Sequence, residues 1–213
     1  MSNIPEPEVV LKNLAYLLPT IYSALQDGTY KAKEYCDQYE TAGRIDPFLA
    51  PNLVRYHTIK LLQKQGHLID EELNLDNVPN NGICLSYRNY KIRILKASNG
   101  DLPVPGHSKS RQHFYHQIPF KFMDEEDSGV TMLNLVLLWD VATQYNLSEV
   151  CLVCPKSGGV KRETVEAHWS YPIPLAVLMG EPFEDLVPAA QAVEDLPISL
   201  KRHDKNVTEG KVD

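Results

Sequence analysis

Between Ile83 and Leu95 the chain alternates with a period of two, and no other stretch restricts the fold as tightly. Ile83, Leu85 and Tyr87 are separated by Cys84 and Ser86; after Arg88-Asn89, the residues Tyr90, Ile92 and Ile94 are separated by Lys91 and Arg93. A two-residue turn at Arg88-Asn89 sets Tyr87 opposite Tyr90, Leu85 opposite Ile92 and Ile83 opposite Ile94, which collects all six apolar side chains on one face. A slip of one residue would turn the set outward, so the pattern specifies the register as well as the strands. The same geometry carries Lys91 and Arg93 to the opposite face.

That face belongs to a basic block. Residues 82–122 hold seven Lys and Arg against one acid, a charge of +6, while the remainder carries 14 bases against 27 acids, or −13. A concentrated basic segment in a chain of net charge −7 points to a surface that meets an anion. The competing reading is a solvated sheet face neutralised by the protein's own acids at 70–72 or 124–127. The acidic total excludes indiscriminate binding to nucleic acid or membrane but leaves a local basic site open. Lys91, Arg93, Lys109 and Arg111 are the candidate phosphate contacts, with Tyr90 or Tyr115 as stacking partners.

Upstream, Val10, Leu11, Leu14, Leu17, Leu18, Ile21, Tyr22 and Leu25 recur at three and four, which predicts a helix over 7–26. Pro19 is expected to kink or split it and Asp27-Gly28 to stop it. A second helix is predicted over 29–39. Asp46 before Pro47 reads as an N-cap followed by proline at the first helical position, opening a third helix, broken near Pro51, that runs to Gln65 before Gly66. Residues 67–76 are expected as a short helix or turn, and 78–82 as a turn cluster. Residues 98–106 read as a loop and 108–117 as a short helix capped by Ser108 or Ser110. The apolar runs 132–139 and 149–154 read as buried strands joined by an antiparallel return, with 160–169 as a final helix or strand.

The expected fold is therefore α+β: N-terminal helices over 1–76, then a small antiparallel sheet of about four strands in two hairpins over 77–172, packed with the helices as one domain. Residues 173–213 form a proline-containing extension and a flexible C-terminal tail too polar to order itself. A hydrophobic content of 43 % is enough for a real core. The amino terminus lacks the pattern of a signal peptide and no apolar run approaches eighteen residues, so a cytoplasmic protein with no membrane partner is expected. Four cysteines are too few for a disulfide framework at this length and read as reduced thiols.

Several spacings bear on chemistry. Arg111-Gln-His-Phe-Tyr-His116 has the R-x4-H spacing that resembles the catalytic motif of the HEPN ribonucleases, which implies Arg111 and His116 acting near a scissile phosphate. The plainer reading is a partly exposed helix anchored by Phe114 and Tyr115. His113 and His116, three apart, fit one helical face as metal ligands, with His107 or Asp140 to complete the set; solvated histidines are the alternative. Asp140, Glu149 and Lys156 resemble the hairpin layout of the PD-(D/E)xK nucleases, where carboxylates bind Mg²⁺ and a lysine positions the attacking water. The sequence departs from that pattern, with Val-Cys-Pro before Lys156 where an E-x-K would stand. Cys151 and Cys154 have zinc-knuckle spacing, but on a regular strand they face opposite sides and read as core residues.

The leading expectation is a protein that binds an anionic partner, a nucleic-acid backbone, through the hairpin and loop 88–121. A noncatalytic protein-protein interaction or regulatory module, meeting an acidic protein surface, is the alternative. A metal-dependent phosphodiester hydrolase comes third, with Arg111, His116, Asp140 and Lys156 as its catalytic candidates. No cofactor is predicted for the first two readings; Mg or Zn enters only with the metal-site ones.

Overall fold

The structure is a computed structural model that describes residues 4–39, 48–69, 72–76, 78, 82–97, 101–118, 132–141 and 146–182. Three helices come first: α1 (Pro7–Leu14), α2 (Leu17–Tyr39) and α3 (Leu49–Ile69). The break falls at Ala15-Tyr16, ahead of Pro19. Pro19 is the third residue of α2, where a backbone N–H has no intrahelical acceptor and its loss costs nothing. Pro51 occupies the same position in α3 and breaks nothing there either. The expected Asp46-Pro47 cap lies outside the described residues.

Asp27-Gly28 does not stop α2, which runs on through 29–39 as one helix. Gly28 is instead a contact point. A Cβ there would come within 2.6 Å of the Thr58 Oγ1 and 2.9 Å of the Val54 carbonyl oxygen, so α3 crosses α2 where the side chain is missing. The buried Thr58 hydroxyl lies 2.8 Å from the Val54 carbonyl and 3.3 Å from that of Ala24, tying the two helices at the crossing. Likewise α3 continues past Gly66 to Ile69.

The sheet has six strands in sequential order: β1 (Leu73–Leu75), β2 (Ile83–Tyr87), β3 (Tyr90–Lys96), β4 (Leu133–Val141), β5 (Leu147–Ser157) and β6 (Glu166–Pro172). Strands β3 and β4 are parallel and every other neighbouring pair is antiparallel. The α+β class holds, but the sheet of four antiparallel strands does not. Leu73-Asn74-Leu75 is too short to display a period, yet it pairs with β2 where a helix or turn was expected. The segment 166–172 adds a sixth strand on β5. Between β3 and β4 stands the helix α4 (Lys109–Tyr115), and a connection that carries a helix across the sheet face returns the chain parallel.

The β2–β3 hairpin has the register expected from alternation, Ile83↔Ile94, Leu85↔Ile92 and Tyr87↔Tyr90. Arg88 at its turn takes a φ of 51°, as a two-residue hairpin loop demands. All six apolar residues are buried with α1–α3 and with Leu135, Leu137 and Trp139 of β4. The opposite face is covered too: Phe114 and Tyr115 of α4 pack on Val136, Leu138, Cys151 and Val153. Lys91, also on this side of β3, is only 8 % exposed. Beyond β6, Ile173 and the Val177 and Leu178 of a short helix, α5 (Leu175–Leu178), join the core, so the chain packs some way into the expected extension. The expected tail lies outside the described residues.

Gln117 couples α4 to the sheet. It has a φ of 56°, and its side-chain amide enters between β4 and β5. Its Oε1 accepts from the Asn134 backbone N–H at 2.8 Å, and its Nε2 donates to the carbonyls of Asn134 at 2.9 Å and Pro155 at 2.8 Å. Pro155 has no N–H to offer β4, so the glutamine amide supplies the rung that the proline cannot. Gln117→Ala leaves these groups without that partner and is expected to cost about 1–3 kcal/mol in urea unfolding. A loss under about 0.5 kcal/mol would show that the amide is not a structural rung.

Candidate anion-binding site

The site is assembled where α4 begins above the end of β3. Ser108 caps α4, its Oγ accepting from the Arg111 backbone N–H at 3.4 Å, and this start sets Ser110 and Arg111 toward β3. Arg93, on the α4 side of β3, lies with its guanidinium carbon 4.7 Å from the centre of the Phe114 ring, and its Nη2 donates to Ser110 Oγ at 3.2 Å. Arg55 arrives from α3, where its Nε donates to the Pro51 carbonyl at 3.2 Å. With Lys96, Ser108 and Ser110, the three arginines line a cleft of about 270 Å³.

No carboxylate is among the described residues lining this cleft. The Nε atoms of Arg93 and Arg111 are buried and have no hydrogen-bond partner among the described residues. Burial pulls the Arg93 guanidinium below its ordinary value; Cys84 opposes the shift and the positive charge of Arg111 adds to it. Arg55 is lowered by burial first and by Arg111 second. A guanidinium stays protonated in a protein, so this strain is not relieved by losing a proton. A bound anion would relieve it, and the planar fork of arginine suits the oxygens of a phosphate.

The basic block thus divides. Lys91 Nζ pairs with the Asp76 carboxylate at 3.3 Å, and the Ser86 hydroxyl donates to the same group at 3.1 Å. Arg88 Nε pairs with Glu72 at 3.2 Å, one of the acids the sequence offered for internal pairing. The acids at 124–127 lie outside the described residues. Lys109 is exposed on α4 and does not line the cleft. Arg93 and Arg111 do converge, and Arg55 joins them; nothing in the sequence of α3 distinguishes Arg55 from Lys60 or Lys64, so only the tertiary fold could reveal it.

Neither expected stacking residue faces solvent. Tyr90 is buried in the helix-side core and its hydroxyl accepts from Asn13 Nδ2 at 2.8 Å. Tyr115 is fully buried, donates to the Pro103 carbonyl at 2.8 Å, and its phenol is pushed up to about 12 by burial against the pull of Arg111 and Arg93.

Of the remaining candidates, His116 sits exposed at the C-cap of α4, about 140° around the helix from Arg111, and does not line the cleft. His107 and His113 are exposed as well. Among the described residues no three His, Cys, Asp or Glu side chains come together as a metal-ligand set. Asp140 and Glu149 lie opposite one another on β4 and β5, but Lys156 is roughly 23 Å further along β5 at the usual rise per residue. Lys156 pairs with Glu166 at 2.9 Å, so the three do not converge. Cys151 and Cys154 belong to the two opposite faces of the sheet, and burial pushes both thiols up to about 12. Among the described residues no helix is long and apolar enough to cross a membrane. The chain matches no protein-family model, no curated protein and no solved structure.

Proposed function

We propose that the protein binds the phosphate of a nucleic-acid backbone in the cleft between Arg55, Arg93 and Arg111. One observation carries this reading: three guanidinium groups from three separate elements face one cleft with no carboxylate among its described lining residues. In the same protein, Lys91 and Arg88 are matched with Asp76 and Glu72, and the chain has seven more acids than bases overall. Neutralising partners are plentiful in the chain, yet the described cleft holds none, which is the arrangement expected of a surface that receives its negative charge from outside. Among the described residues the buried Nε–H groups of Arg93 and Arg111 have no acceptor, and phosphate oxygens would satisfy them with charge-assisted hydrogen bonds. Such contacts position the chain on a strand without reading its bases.

The test is the salt dependence of affinity. With a labelled oligonucleotide of mixed sequence and salt raised from about 50 to about 300 mM, three phosphate contacts at roughly 0.7–0.9 each give a log–log slope of about −2 to −3. Binding should vary little between sequences. Absence of any salt-sensitive binding to DNA or RNA would retire the nucleic-acid reading and leave an acidic protein surface as the ligand of the cleft.

A further inference from the structure

We infer that the strand held in the cleft is single, and that Tyr56 is the platform on which one of its bases stacks; this rests on the phosphate reading of the arginine cleft. Tyr56 follows Arg55 about 100° around α3, next to the residue that lends its guanidinium to the cleft but outside the cleft lining itself. Tyr56 is 48 % exposed, far more than a packed aromatic needs, and Phe48, the residue before the helix, is 79 % exposed. The Lys60 ammonium lies 5.8 Å from the centre of the Tyr56 ring, and the His57 ring meets Tyr56 edge-on with centroids 5.3 Å apart. Lys60 and Lys64 follow at successive turns, both exposed and about 40° and 80° around the helix from Tyr56, so positive charge continues along the tyrosine's side of α3.

An exposed aromatic set among cations beside a phosphate pocket is the combination that holds single strands: the cations track the backbone and the ring takes a base by its π-face. Stacking tolerates any sequence because every base has such a face. A duplex keeps its bases stacked on one another and offers Tyr56 none of them.

The experiment compares wild type, Tyr56→Phe and Tyr56→Ala by fluorescence anisotropy on three probes of equal length: an oligothymidylate strand, a duplex, and an abasic strand of deoxyribose phosphates. Wild type should bind the single strand more tightly than the duplex. Tyr56→Ala should lose about 5- to 100-fold on the single strand, Tyr56→Phe should retain wild-type affinity, and all three should bind the abasic strand alike. The salt slope should not change in Tyr56→Ala, because the phosphate contacts remain. Tyr56→Leu keeps the apolar contact without a π-face and replaces the alanine variant if that one fails to fold. Equal affinity for duplex and single strand, or the same loss on the abasic probe, overturns the stacking inference while a preserved slope keeps the phosphate reading. No binding to any probe overturns both.

Discussion

Ile92→Ala is expected to lower the free energy of unfolding by about 2–5 kcal/mol, the range for truncating a buried aliphatic side chain. Ile92 is fully buried in β3, with Leu85 opposite on β2 and Leu135 opposite on β4. Because β3 is hydrogen-bonded on both sides, its backbone cannot move in to fill the space, and the helices α1–α3 above it are held apart by the remaining core. The cost therefore includes the cavity as well as the lost transfer free energy. Denaturant unfolding with an unchanged m-value measures it. A loss below about 1 kcal/mol would place Ile92 outside the core and undo the assigned hairpin register.

Arg111→Glu is expected to abolish binding without weakening the fold, and the opposite signs of the two effects are the signature of a site. Each charge-assisted hydrogen bond to a phosphate contributes about 1.5–3 kcal/mol, so Arg111→Gln should cost roughly 10- to 150-fold in affinity. Glutamate adds repulsion and should cost more. In the unliganded protein the Arg111 charge presses down the guanidinium groups of both Arg55 and Arg93, so its removal relieves a like-charge cluster and the melting temperature should hold or rise. A fall in both affinity and melting temperature would assign Arg111 a structural role instead.

How much of this was legible in the sequence follows from the range of the interactions involved. The β2–β3 hairpin could be read because strict alternation on both arms leaves one register that buries every apolar residue. Pro19 and Gly28 misled because each was read as local punctuation. The proline falls where a helix needs no N–H, and the glycine is required by α3 crossing α2 above it. The sheet was underestimated because β1 is three residues long and because the parallel β3–β4 pair depends on a helix crossing between them.

The site divides along the same line. Arg93 and Arg111 stood out as members of the basic block, and the capped start of α4 brings them together. Lys91, two residues from Arg93, belonged to the same block, but the edge strand β1 delivers Asp76 to it, a pairing visible only once β1 is placed against β2. Arg55 and Tyr56 are unremarkable in a helix far away in sequence. Asp140, Glu149 and Lys156 show the converse: residues close in the chain that an extended strand keeps apart.

The most direct measurement is the log–log salt slope of oligonucleotide affinity, determined side by side for wild type, Arg55→Gln, Arg93→Gln and Arg111→Gln, with Lys156→Gln as a charge-matched control outside the cleft. Each cleft variant should flatten the wild-type slope by about 0.7–0.9, one phosphate contact, while Lys156→Gln leaves it unchanged. Slopes that are the same in all five proteins, or that flatten as much for Lys156→Gln as for the cleft arginines, would contradict a phosphate held by Arg55, Arg93 and Arg111.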